Sequence, residues 1–272
     1  MDNPKRKKLK RSKWAVKEIL ENNEALLPYI PETRWMNKDN LAEMLDNFEM
    51  VYVKPDNWTW GRGVIKVEKI KIKKGKEKFR YQFGKKIFTF HHFADFIEAL
   101  ELTICKKMKN RNTNDRKYII QQGIHLLRYN DLIFDLRLMV QKSPEKQFEI
   151  TGILGRLAHP KRIVTNFHSK GEIYSIEQLL NPYMTEEKLQ KYKASLEELA
   201  KHIGPLFNRK AIGIDIGIDE NFFPWIIEVN MKPDPYVFNQ LNDKNMFNKI
   251  IEYRKYWKEK RHARYNHPTK RD

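Results

Sequence analysis

The chain has 272 residues, 40% hydrophobic and 12% aromatic, which is enough to bury a core in one large domain or two lobes and too apolar for a disordered chain. Its formal net charge of +18 gathers at the ends: residues 1–13 hold seven Lys/Arg against one acid, and residues 251–272 hold eight against three. One cysteine, Cys105, excludes an internal disulfide and a cysteine-based zinc site.

No stretch approaches a membrane span, and no apolar core follows the basic start as a secretion signal requires. A reducing, cytoplasmic setting is therefore expected. Basic ends suit a polyanion such as nucleic acid, an anionic membrane or wall polymer, or an acidic peptide. Solvated tails are the plainer alternative.

In chain order, WAVKEILENNEALLPYI predicts an amphipathic helix ending before Pro28 and Pro31. NKDNLAEMLDNF predicts a second helix with Asn37 as its N-cap. VYVKPDNWTWGRGVIKVEKI predicts a hairpin whose second arm runs to about Lys74. From Thr89, TFHHFADFIEALELTICKKM reads as a helix, leading through the polar loop KNRNTNDR to the strand YIIQQ.

The pattern then turns to period two. In DLIFDLRLMVQK, Leu132, Phe134, Leu136, Leu138 and Val140 share one face, with Asp135 and Arg137 on the other. The turn SPEK leads into QFEITGILGRLA. A charged helix, TEEKLQKYKASLEELAKHIGPLF, precedes the last two strands, AIGIDIGID and PWIIEVNMKP. Hairpins with helices segregated between them predict an α+β fold in two lobes, mostly antiparallel; a doubly wound sheet needs a βαβ alternation that is missing.

Gly61-Arg62-Gly63 raises the question of phosphate binding. Walker and Rossmann loops lead from glycines into a helix, whereas these glycines lead into an alternating strand, which excludes both. A protein kinase is excluded as well, because HRD and DFG are absent and Lys54 precedes the glycines. Taken alone, the glycines fit an ordinary hairpin turn better than a phosphate flap, and Lys54 fits a solvated strand end.

Asp215, Glu228 and Asn230 are hard oxygen donors on adjacent strands, the ligand type that Mg²⁺ prefers alongside nucleotide phosphates. A structural Glu228–lysine pair is the competing reading. Arg137 and Arg156 could stabilise a phosphorylated or tetrahedral species, unless Arg137 forms a surface pair with Asp135. His91, His92, His159 and His168 lack a shared ligand spacing and read as structural.

Together these segments resemble the ATP-grasp ligases, and more narrowly the YheC/YheD family of endospore-coat-associated proteins. The likeness runs from about Lys13 to Pro235, through SKWAVKEIL, LPYIPETR, VYVKPDNWTWGRGVI, IIQQGIHLL, FDLRLMVQK, ITGILGRLA, IVTNFHSKG and GIDIGIDENFFPWIIEVNMKP. The resemblance implies a fold that clamps ATP between a flap lobe (residues 43–120) and a metal-bearing lobe (121–240). A basic lead-in (1–42) and a basic C-terminal helix and tail (241–272) flank them.

By the same resemblance, Lys13 and Lys54 hold phosphates, Gly61, Arg62 and Gly63 form the flap, and Gln121, Gln122 and Ile124 surround adenine. Asp215, Glu228 and Asn230 hold Mg²⁺, with Mn²⁺ as an alternative. Arg156 and Asn166 match positions that face the acyl phosphate in similar ligases such as the RimK glutamate ligases. The implied activity is an ATP-dependent carboxylate–amine ligase with unknown substrates, among which an acidic peptide or anionic polymer suits the basic ends.

A coat-associated protein that keeps the nucleotide fold without catalysis is the alternative. Specific nucleic-acid binding ranks last, because no recognition motif is present. Three features depart from the family. Ser169-Lys170-Gly171 stands where relatives have Gly-Gly, Trp58 and Trp60 occupy the flap, and only about a dozen residues stand where longer members carry a domain that helps form the acceptor site.

Overall fold

The computed structural model describes residues 12–58, 61–109, 117–159 and 172–266. Asn166, Trp60, His168, the Ser169-Lys170-Gly171 stretch, residues 1–11 and residues 267–272 lie outside them.

The first lobe is a six-stranded sheet in the order β1 (Thr33–Trp35), β6 (Tyr118–Gln122), β2 (Met50–Pro55), β3 (Ile65–Lys71), β4 (Glu77–Phe83) and β5 (Lys86–Phe90). Two helices, α2 (Lys38–Phe48) and α3 (Phe93–Lys109), cover one face. Leu41, Met44 and Leu45 from α2 and Phe96 and Leu100 from α3 join Val51, Val53, Ile65 and Val67 in its core. Asn37 caps α2 by accepting the Asn40 N–H at 2.8 Å, as its sequence predicts.

The second lobe pairs its strands in the order β10 (Glu172–Tyr174), β9 (Phe148–Leu157), β8 (Leu132–Lys142), β11 (Ala211–Ile218) and β12 (Pro224–Asn230), with β7 (Arg128–Tyr129) also against β8. Every strand pair among the described residues is antiparallel. Phe134, Leu136, Leu138 and Val140 of β8 and the four isoleucines of β11 face α4 (Ile176–Leu180) and α5 (Glu186–Ile203) in one core. The α+β, two-lobed architecture is the predicted one.

Leu20 of α1 (Lys13–Glu21) and Leu26 of the following 3₁₀ turn, Glu24–Tyr29, also lie in this second core. On the opposite sheet face, Met139 and Leu154 pack under Val237, Phe238 and Ile250. Ile250 belongs to the C-terminal helix α6 (Asn245–Asn266).

Three local expectations are corrected. The first helix stops at Glu21, because Asn23 accepts the Ala25 N–H at 3.1 Å and opens a separate 3₁₀ turn that accommodates Pro28. The helix expected from Thr89 begins at Phe93, and Thr89 and Phe90 end β5, the second arm of a hairpin turning at Gly84 (φ +61°). Finally, Asp135 and Arg137 do not form a surface pair. Both are buried, and each pairs across strands.

Candidate active site

A cleft runs between the lobes. From the first lobe it is lined by Tyr52, Lys54, Pro55, Trp58, Gly61, Arg62 and Val64. The segment joining the lobes adds Gln121, Gln122, Ile124 and Leu126, and the second sheet adds Ile133, Asp135, Arg156, Asp215, Ile227 and Glu228. Lys13 and Pro31 reach in from the lead-in. Ten of the residues nominated from sequence therefore meet: Lys13, Lys54, Gly61, Arg62, Gln121, Gln122, Ile124, Arg156, Asp215 and Glu228. Gly63 stands behind the flap turn, and Asn230 ends β12, where its Oδ1 accepts the Lys232 N–H at 2.9 Å.

Lys54 and Lys13 are the two lysines that line the cleft. The Lys54 ammonium donates to Gln121 Oε1 and lies 5.4 Å from the Tyr52 ring centre. Burial pushes its pKa down to about 8; Glu228 and Asp215 pull it back up, while Lys13 adds to the depression. Lys13 Nζ donates to the Trp58 carbonyl and stands 3.8 Å from Glu228 Oε1, so it touches both walls. The lysine partner foreseen for Glu228 is thus present, at long range and inside the cleft.

The acidic wall follows from strand register. Asp135 stands opposite Arg156, Arg137 opposite Asp215, and Asp215 opposite Glu228. Directly opposed residues have Cα atoms about 4.5–5.5 Å apart, against roughly 6.5 Å for i,i+2 along a strand, so cross-strand partners win. Arg156 makes a bidentate pair with Asp135 (2.7 and 2.6 Å) and reaches Asp215 Oδ2 at 2.8 Å. Arg137 holds Asp215 through Nε and, at 3.0 Å, through Nη2.

Burial would raise the Asp215 carboxyl, but the two guanidiniums outweigh it and hold the pKa at about 2. The site therefore keeps an ionised carboxylate directly across from Glu228. Two opposed carboxylates are the donor type that Mg²⁺ or Mn²⁺ takes, and here both Asp215 oxygens also accept from Arg137 or Arg156. Among the described residues no group of three His, Cys, Asp or Glu forms a metal cluster, so any further ligands would have to be Asn230, phosphate or water.

The flap turn is built around Trp58. Gly61 and Gly63 have φ of +63° and +74°, and a Cβ on Gly63 would stand 2.8 Å from both Pro55 Cγ and the Trp58 ring. Glycine is required on both counts. Trp58, which sequence alone leaves unassigned, thus braces the turn from inside. Gly63→Ala is expected to cost about 1–3 kcal/mol in a urea titration. An unchanged midpoint would show that the turn can move aside freely.

Two contributors were not nominated. The sequence offers Asp135 only as a surface partner for Arg137, although its place on the polar face of β8 is plain there. Asp56 is the second: it is buried at the end of β2, and its contacts to residues 12–14 span more than 40 positions. Only the turn-like Pro55-Asp56-Asn57 marked it in the sequence.

Two sheets that close on a cleft, with lysines on one wall and carboxylates on the other, define an ATP-grasp fold. Solved ATP-grasp structures match it at a TM-score of 0.50. They include the Aspergillus clavatus carboxyaminoimidazole ribonucleotide synthase complexed with ATP, 13% identical, matching over 83% of this chain and 45% of that one. The ADP complex of the purK N5-carboxyaminoimidazole ribonucleotide synthetase is 14% identical over 89% and 50%. The biotin carboxylase domain of Hydrogenobacter thermophilus 2-oxoglutarate carboxylase, crystallised with MgADP and bicarbonate, is 13% identical over 89% and 45%.

The chain belongs to the YheC/D-like ATP-grasp family, whose sequence model matches residues 7–257. It is 25% identical over 259 residues to the endospore coat-associated protein YheD of Bacillus subtilis, matching over 92% of this chain and 55% of YheD. It is 24% identical over 231 residues to YheC of the same organism, over 81% and 59%. The chain thus spans a little over half the length of these relatives. No helix among the described residues is long and apolar enough to cross a membrane.

Proposed function

We propose that this chain is an ATP- and magnesium-dependent carboxylate–amine ligase working through an acyl phosphate. The observation that carries the reading is the meeting, in one cleft, of Lys13 and Lys54 with Asp215, Glu228 and Arg156, residues separated by up to 215 positions in sequence. The fold relationship to carboxyaminoimidazole ribonucleotide synthases and a biotin carboxylase domain, crystallised with ATP or ADP, supports a nucleotide in that cleft.

In this reading Gln121, Gln122 and Ile124 hold the adenine, and Tyr52, Leu126 and Ile227 exclude water around it. The flap Gly61-Arg62-Gly63 covers the phosphates, whose charge Lys13 and Lys54 offset. Asp215 and Glu228, with Asn230, would hold Mg²⁺, which when bound supplies charge neutralisation on the phosphate oxygens. A substrate carboxylate oxygen attacks the γ-phosphorus as the bond to ADP breaks. An amine then attacks the acyl carbon, phosphate leaves and the nitrogen loses a proton. Arg156, and Asn166 by its family position, stabilise the acyl phosphate.

The test is a screen of amino acids and short acidic peptides for acceptor-dependent ADP release. Wild-type protein with Mg·ATP and a correct acceptor pair should release ADP and phosphate one for one, and Glu228→Gln should lower the rate by about a hundredfold or more. ADP release equal in Glu228→Gln would remove the metal assignment.

The second reading is an ATP-binding, non-catalytic coat or envelope protein. The names of the two Bacillus relatives favour it, as does the enclosure of Asp215 by two arginines. Tight Mg·ATP binding with no turnover for any acceptor would decide for it.

A further inference from the structure

We infer that Asp56 is a positioning residue that caps the α1 helix across the lobe boundary and thereby sets where Lys13 enters the cleft. The inference rests on the phosphate-holding role proposed for Lys13.

The first N–H groups of a helix lack internal partners, and the positive end of the helix dipole favours an anion. Helix α1 begins with a cation, Lys13, and has no acid in its first turn. Asp56 supplies what is missing from the other lobe. Its carbonyl accepts the Lys13 N–H at 3.1 Å, and its Oδ1 accepts the Trp14 N–H at 2.9 Å. The Ser12 hydroxyl donates to the same Oδ1 at 3.1 Å and accepts the Ala15 N–H at 3.0 Å. Asp56 thus accepts the first two helix N–H groups, and Ser12, which it holds through Oδ1, accepts the next two, from Ala15 and Val16.

That aspartate is itself fixed. It directly follows β2, and its own N–H donates to the Lys117 carbonyl at 3.0 Å, just before β6. The remainder of α1 belongs elsewhere: Leu20 is buried in the second lobe's core, with Val16 and Ile19 packed against it. A second clip joins α1 to the first lobe, where Trp14 stacks on Trp35 of β1 at 4.4 Å. Helix α1 therefore bridges the lobes, and Lys13, its first residue, reaches the Trp58 carbonyl on one wall and Glu228 on the other. If the lobes shift relative to each other, the cap at Asp56 carries the Lys13 backbone with the flap.

The experiment is titration calorimetry of Mg·ATP on wild type, Asp56→Ala, Lys13→Met and the double variant, with urea midpoints in parallel. Asp56→Ala is expected to weaken Mg·ATP about tenfold, and Asp56→Asn, which keeps an acceptor oxygen, to restore part of that. In the Lys13→Met background the Asp56→Ala loss should vanish, since there is no ammonium left to place. A merely structural Asp56 would move the urea midpoint while the folded protein keeps its affinity, or would give losses that add to those of Lys13→Met. Either result overturns the inference. If Asp56→Ala does not fold, the same cycle is run with Asp56→Asn. An unchanged affinity in Lys13→Met overturns instead the role proposed for Lys13.

Discussion

Asp215→Ala is expected to cost about 3–5 kcal/mol of folding stability, against a total of roughly 5–15 kcal/mol for a domain, and is the most damaging single change in the cleft. Asp215 is buried between Arg137 and Arg156 and bonds to both. Removing it leaves two guanidiniums in a low-dielectric site, and only Arg156 retains a second carboxylate, Asp135. Uncompensated buried charge, more than the lost bonds, dominates the cost.

The effect should therefore shrink when Arg137 is removed as well. Arg137→Met added to Asp215→Ala is expected to recover part of the loss in a urea titration. A double variant less stable than Asp215→Ala alone would show that the charge pairing is not what holds the site. The sign with pH follows from the same contacts. Because the folded pKa of Asp215 is depressed from 3.8 to about 2, its contribution is full above pH 4 and is lost as pH falls toward 2. Wild type should lose stability over that range more steeply than Asp215→Asn.

Lys54→Met is expected to weaken Mg·ATP binding roughly tenfold to a hundredfold, and to change its pH dependence. Burial holds the free ammonium near 8, whereas phosphate oxygens beside it would favour the protonated form. Below pH 8 Lys54 is already charged and affinity should be flat in this respect. Above pH 8 binding must draw a proton from solvent, so affinity should fall by up to about tenfold per pH unit. At pH 8 itself, about half a proton should be taken up per nucleotide bound, read as a buffer-dependent binding enthalpy. Lys54→Met should show neither effect, and equal proton uptake in both proteins would assign it to another group.

The most legible parts were those where one physical rule acts alone. In β11 the isoleucines at 212, 214, 216 and 218 alternate with small or acidic residues, so the period and the buried face are plain in the sequence. Glu228 and Asn230 stand in the same relation on β12. The convergence of ten nominated residues on one cleft owed as much to the family resemblance: Lys13 and the Gln121-Gln122-Ile124 segment have no local signal that separates them from other lysines and strand ends.

Long-range choices were not legible. Asp135 and Arg137 look like natural partners two residues apart. Their actual partners, Arg156 and Asp215, depend on a register that only the folded sheet defines. The β4–β5 hairpin was obscured because β5 is largely exposed and its Thr89-Phe90 end runs into a helical spacing of aromatics. Asp56 escaped notice because an aspartate after a proline is ordinarily a turn residue; its role exists only through a helix start more than 40 residues away.

The most direct test of the account is titration of the wild-type protein with ATP in the presence and absence of magnesium. An ATP-holding cleft of this kind predicts saturable one-to-one binding, strengthened by magnesium and weakened by Lys54→Met. No binding at millimolar Mg·ATP, or binding indifferent to both magnesium and Lys54, would contradict it.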